Sequence, residues 1–294
     1  MTRLLVVRLS ALGDVIHTVP AVVALKEQFD IDWAVEKPYR ELVELVAGVQ
    51  AIPVSLKRWA AAPDARRAVQ RFDVSVDFQG LIKSSALAWA SGAKERWSFD
   101  AEAIREKPAL LFVNRRVAVD QTRHVIEWNL QLAQALYPGA TMSRVDFSPF
   151  ADPARYGKDV VLLPAAGRPE KQWPIERFQE LARRIGPKAI AVWGPGEEEL
   201  ARQIGCRMAP KTNLRELAAV LRDAELVIGG DTGPLHLAAA LGTKVIGLYG
   251  PTNPRRNGPY GQLERCVSTF ETAREMAAIT VDDVAGLLET AGTI

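Results

Sequence analysis

The sequence predicts an α/β protein made of two doubly wound, Rossmann-like parallel-sheet domains facing each other across an interdomain cleft. Three observations carry that expectation. Short apolar runs alternate with longer amphipathic segments, the pattern of βαβ units. Halfway along, Pro138, Gly139, Pro149, Pro153 and Gly157 crowd together and mark a linker between domains 1–152 and 153–294. Several apolar runs also end in polar or Gly-rich turns that open a helix, where open α/β sheets hold ligands.

Taken in order, Leu4 to Leu9 reads as a β-branched-rich strand and a helix follows Gly13. Ile31 to Val35 and Val74 to Phe78 are further strands, while Gly80 to Ala90 and Arg123 to Leu136 have helical spacing. After the linker, strands are expected at Val160 to Leu163, Lys188 to Trp193, Leu226 to Ile228 and Lys244 to Tyr249. Helices are expected at Pro174 to Ile185, Glu197 to Ile204, Leu214 to Arg222, Gly233 to Leu241 and Val281 to Thr290.

Composition excludes several classes. The 294 residues are 48% hydrophobic and 24% charged, with a net charge of +2. A disordered chain would be less apolar and more charged. A polybasic nucleic-acid binder would show a clear excess of Lys and Arg, so no nucleic-acid partner is expected. The balance is flat along the chain, with 19 basic and 17 acidic residues up to position 150 and 18 of each after it. Cys206 and Cys266 are too few and too far apart for a disulfide scaffold, which fits free thiols in a cytoplasmic protein. No run approaches the ~18 apolar residues of a membrane span. Arg8 and Asp14 break the N-terminal run that would otherwise resemble a signal peptide. His17, His124 and His236 lack zinc-hydrolase spacing, and no metal site is expected.

Three segments carry chemistry. In Ser10 to Thr18, Gly13 allows a tight turn and Asp14 falls at the carboxyl edge of the first sheet. A carboxylate there serves either as a general base on a hydroxyl or as a helix N-cap. In Pro164 to Pro174, Ala166 and Gly167 let a ligand approach the backbone. Lys171 offers a point charge to a phosphate, or is an exposed surface lysine. In Gly229 to His236, a Gly-rich turn precedes a helix whose free N–H groups suit a diphosphate. Asp231 there binds a sugar hydroxyl or caps the helix, and His236 reaches the same ligand or is structural. Weaker signals are the polar edge Asp77 to Ser84, the basic clusters Lys57 to Arg71 and Arg115 to Arg123, and Glu197 at a helix start. Gly-x-Gly-x-x-Gly is absent from the first turn, which argues against a nicotinamide-dependent oxidoreductase.

These motifs, with Lys57-Arg58-Trp59, Lys171-Gln172-Trp173-Pro174 and Tyr249-Gly250-Pro251-Thr252, resemble glycosyltransferase family nine over nearly the whole chain. These are the ADP-heptose:lipopolysaccharide heptosyltransferases, and the heptosyltransferase I branch is the nearest. The resemblance implies the GT-B fold. It also implies inverting transfer of L-glycero-D-manno-heptose from ADP-heptose to the Kdo of Kdo-lipid A, without a cofactor. Asp14 would then be the base and Lys171 would contact the donor diphosphate. Gly13, Ala166, Gly167, Glu197, Asp231, Thr232, Gly233 and His236 would line the donor site. Arg58, Lys83, Arg115 and Arg116 would face the acceptor. Domain 1–152 would take the acceptor and domain 153–294 the ADP-heptose. A lipid acceptor implies peripheral association with the cytoplasmic face of the inner membrane, with Lys57 to Arg71 against the headgroups. The rivals are a family member with another acceptor, as in heptosyltransferase II, and a non-catalytic nucleotide-sugar binding module. Pro164-Ala165-Ala166-Gly167 departs from relatives in lacking hydroxyl side chains, which leaves backbone N–H groups to meet phosphate there.

Overall fold

The computed structural model describes residues 1–55, 62–143, 145, 147 and 159–290. The chain divides into two units, Met1–Pro149 and Phe150–Ile294.

In the first unit the elements run β1 Thr2–Val7, α1 Leu12–Leu25, β2 Phe29–Glu36, α2 Arg40–Glu44, β3 Val49–Val54 and α3 Ala62–Ala68. They continue with β4 Val74–Asp77, α4 Ile82–Ala90, β5 Glu95–Phe99, β6 Arg115–Val117 and α5 Val125–Leu136. The strands form a parallel sheet in the order β3-β2-β1-β4-β5-β6. Leu4, Leu5, Val6 and Val7 are fully buried, as expected where helices cover both faces of a parallel sheet. Pro53 sits in β3, at the sheet edge, where a missing N–H does least harm.

The second unit repeats the plan. Its elements are β7 Val160–Leu163, α6 Ile175–Ile185, β8 Ala189–Ala191, α7 Glu198–Gln203, β9 Arg207–Met208 and α8 Leu214–Asp223. Then come β10 Leu226–Gly230, α9 Gly233–Ala240, β11 Val245–Tyr249, α10 Pro254–Asn257, β12 Cys266–Ser268 and α11 Val281–Thr290. The sheet order is β12-β11-β10-β7-β8-β9, again parallel. On α6, Phe178, Leu181, Ala182 and Ile185 form a helical stripe facing the core. Phe178 meets Trp173 edge-on at 4.9 Å, and the Trp173 indole donates to the Ile279 carbonyl at 3.0 Å, which ties the start of α6 to the approach to α11.

Both sheets wind outward from a central pair, so each has a switch point: between β1 and β4, and between β7 and β10. Ligands of such sheets bind beyond the carboxyl ends of the strands at that crevice. Boundary corrections are small. α1 starts at Leu12, so Gly13 lies inside its first turn and supplies no turn before it. Lys188 belongs to a 3₁₀ turn rather than to β8.

Candidate functional site

At the β7/β10 switch, Gly229 pairs with Leu163, so the loops after these two strands lie side by side. Gly230 makes the approach closer still: a Cβ there would fall 2.9 Å from the Lys171 carbonyl oxygen. Lys171 Nζ consequently reaches Asp231 Oδ2 at 2.5 Å. Asp231 Oδ1 takes His236 Nε2 at 3.0 Å and the Asn257 amide at 2.9 Å. An ionised carboxylate can only accept, so His236 carries its hydrogen on Nε2. Burial alone would raise the Asp231 pKa, but His236 and Lys171 outweigh it and hold the carboxyl well below its ordinary value.

Thr232 is the N-cap of α9, yet its side chain makes no cap bond. Its Oγ1 and that of Thr252, after the neighbouring β11, are buried without a hydrogen-bond partner among the described residues. Buried polar atoms are nearly always hydrogen-bonded, so two such hydroxyls after adjacent strands call for a partner such as water, an ion or a ligand. The α9 N-terminus beside them presents N–H groups and the positive helix end. After β8, Glu197 Oε2 accepts the Gly194 N–H at 2.7 Å. Next to it, Trp193, Pro195, Gly196, Glu198, Glu199, Arg202 and Lys211 border an open cavity of about 540 Å³, a size that suits a small molecule.

The β1/β4 switch holds a second group. Asp14 is the third residue of α1, whose N-cap is Ala11, so the capping alternative fails. Its Oδ2 takes Arg8 Nη2 at 2.6 Å and Arg105 Nη2 at 3.2 Å, while Oδ1 has no partner among the described residues. Arg8 is buried and also donates to the Phe78 carbonyl. Burial lowers its pKa, opposed by the Asp14 charge. The loop carrying Arg8 is held from below. Asp77, fully buried, accepts from the Gln79 and Gly80 N–H groups and from the Ser84 and Ser85 hydroxyls. Gln79 in turn accepts the Leu9 N–H at 2.8 Å. Asp77 is therefore a structural anchor, and burial raises its pKa despite these bonds.

The sequence profile of glycosyltransferase family 9 (heptosyltransferase) matches residues 66–281. The chain belongs to glycosyltransferase family 9. Lipopolysaccharide heptosyltransferase 1 of Escherichia coli O18:K1:H7 is 31% identical over 98% of this chain and 97% of that protein. Its namesake in Pseudomonas aeruginosa is 33% identical over 89% of this chain and 82% of that protein. Among solved structures, E. coli heptosyltransferase WaaC with ADP superposes with a TM-score of 0.86 at 29% identity, covering 99% of this chain and all of that one. The same enzyme with ADP-2-deoxy-2-fluoro heptose gives 0.83 at 29% identity, covering 98% and 99%. The fold is accordingly GT-B, built from two parallel α/β sheets.

In this family 9 chain the expected residues fall into groups. Lys171, Asp231 and His236 meet directly, with Thr232 and Gly233 opening the adjacent helix. Ala166 and Gly167 lie in the loop between β7 and Lys171. Glu197 sits at the next strand end and is turned toward Gly194. Lys83, near the start of α4, pairs with Glu36 at the end of β2 (3.4 Å), on the edge that Asp14 shares. Arg115 and Arg116 do not join it. They lie in β6, three strands from β1, roughly 14 Å away at usual strand spacing. Arg115 pairs with Glu95 at 3.0 Å, and Arg116 donates to the Leu110 carbonyl at 3.3 Å. Arg123 pairs with Asp120 and Glu127, so the expected 115–123 cluster is largely neutralised locally. Arg58, with residues 56–61, lies outside the described residues. Three residues escaped the sequence reading. Arg8 had a signal, a cation ending an apolar strand. Arg105, 91 positions from Asp14, and Asn257, 26 from Asp231, had none.

Proposed function

We propose that this family 9 protein transfers L-glycero-D-manno-heptose from ADP-heptose to the Kdo of Kdo-lipid A, with inversion. The observation that carries the reading is the Lys171–Asp231–His236–Asn257 cluster at the N-terminus of α9. Asp231 uses one Lys171 proton and leaves two to a diphosphate. The helix end and the Thr232 hydroxyl add donors for the same charge. Glu197 Oε1 would take a sugar or ribose hydroxyl. This makes the second unit the donor side in this reading; the structurally similar E. coli enzyme is known with ADP and with ADP-2-deoxy-2-fluoro heptose, which supports a nucleotide-sugar donor.

In the first unit Asp14 Oδ1 removes the proton of the attacking Kdo hydroxyl. The freed oxygen bonds to the heptose anomeric carbon as ADP leaves from the opposite face, its new charge held by Lys171. Arg8 positions Asp14 by fixing Oδ2. Arg105, half-exposed, and Lys83 face the anionic acceptor, while Arg115 and Arg116 flank it at a distance. No helix among the described residues is long and apolar enough to cross a membrane. A lipid acceptor therefore calls for peripheral attachment at the cytoplasmic face of the inner membrane. Turnover with ADP-heptose on Kdo-lipid A, and its absence on an acceptor already carrying the first heptose, would support this reading. The reverse preference would assign a heptosyltransferase II-like acceptor, and ADP-heptose binding without turnover would leave a binding module.

A further inference from the structure

We infer that the face made by α4 and the 3₁₀ segment Lys107–Phe112 docks this protein on an anionic lipid surface. Leu111 is 84% exposed, Trp89 51% and Ile82 38%, and all three belong to these two neighbouring segments. Ile82, Ala86 and Trp89 follow helical spacing and share one stripe of α4. Trp89 meets Phe112 with ring centroids 6.2 Å apart, which joins the stripe to the 3₁₀ segment. Isolated exposed apolar residues are ordinary, but a joined group of large ones marks an interaction surface.

The surrounding charge selects the partner. Residues 82–116 hold seven Lys and Arg against four Asp and Glu, a net +3, whereas the whole chain is only +2. Of these, Arg115 pairs with Glu95, and Lys83 and Arg105 pair with Glu36 and Asp14 from outside the stretch, while Glu106 and Asp100 accept backbone N–H groups. Lys107 and Arg116 make no ion pair among the described residues. An exposed Trp beside aliphatic side chains and unpaired cations suits the headgroup level of an anionic bilayer. A second copy of this chain would bring like charge against like. The surface differs from the Lys57 to Arg71 stretch that the sequence suggested. It deepens the lipid-acceptor reading, and vesicles without acceptor separate the two.

The test is co-sedimentation of the full chain with vesicles of phosphatidylcholine alone or with about one-third phosphatidylglycerol, at low salt. Binding is expected only to the anionic vesicles, and should weaken as salt shortens the screening length. Leu111→Glu and Trp89→Glu should each reduce partitioning about ten-fold, since each loses buried apolar area. Melting temperature and ADP affinity should stay unchanged, and Leu111→Ser provides a milder variant if either glutamate disturbs folding. The inference is overturned if the parent ignores anionic vesicles, or if all variants bind as the parent does. It is equally overturned if the parent self-associates and Leu111→Glu dissolves the dimer without any effect on vesicle binding.

Discussion

Asp14 shows its neighbours a single carboxylate oxygen, and that division sets what each nearby substitution should do. With Oδ2 taken by Arg8 and Arg105, Oδ1 is the oxygen that the proposed base role would use. Asp14→Ala should lower kcat by about 10²–10⁴-fold, the usual worth of a general base, with ADP affinity unchanged by calorimetry. Arg8→Met should lower kcat with the donor KM unchanged, and Arg8→Lys should restore part of it. Equal loss in both variants would reduce Arg8 to a packing role. Asp231 gives a pH prediction. Its carboxyl is held below the ordinary 3.8, so its contribution to stability is complete above that pH and is lost as pH falls toward the folded value. Between about pH 5 and pH 3 the urea midpoint should fall less in Asp231→Asn than in the parent. Asp77, whose pKa burial raises, contributes in the opposite sense, but it is common to both proteins and drops out of the comparison.

Elements place these groups, and the element scale shows what the residue pattern does and does not encode. β1 from Leu4 on, β7, β10 and β11 are continuous buried runs without charged residues, so hydrophobic patterning reveals them directly. The edge strands β6, β9 and β12 are two or three residues long and carry Arg115, Arg116, Arg207 and Ser268. Nothing local separates such a segment from a polar loop, because pairing with a neighbour alone makes it a strand. The same limit hid the Asp14–Arg105 pair, whereas the Lys171 and Asp231 turns stood out because each follows a legible strand and opens a turn or helix. Two tests belong here. Gly230→Ala should push the Lys171 backbone off β10 and weaken ADP binding, with little change in how Asp14 works, because its Cβ would meet that carbonyl at 2.9 Å. In α8, Asn213 and Glu216 form a reciprocal capping box, so Asn213→Ala should cost about 0.5–2 kcal/mol in denaturant unfolding.

Across the whole molecule, two sheets of the same strand order each offer one switch point, and the proposed reading gives each switch point one half of the chemistry. The basic turn and helix end of the second unit suit a leaving diphosphate, and the arginine-held carboxylate of the first suits an attacking hydroxyl. The two thiols stand outside this scheme. Burial pushes Cys266 up to about 12 and also raises Cys206, so both should alkylate slowly in the native protein and rapidly in denaturant. The tandem α/β plan, and the meeting of Lys171 and His236 at Asp231, follow from strand–turn–helix motifs. The residues that tune them do not, since they arrive from distant positions. The decisive measurement is mass spectrometry of purified Kdo-lipid A incubated with ADP-heptose and the protein. One heptose should be added per acceptor with equimolar ADP released, and Asp14→Ala should slow both by about 10²–10⁴-fold. Heptose addition undiminished in Asp14→Ala, or ADP-heptose binding with no mass gain, would contradict this division of labour.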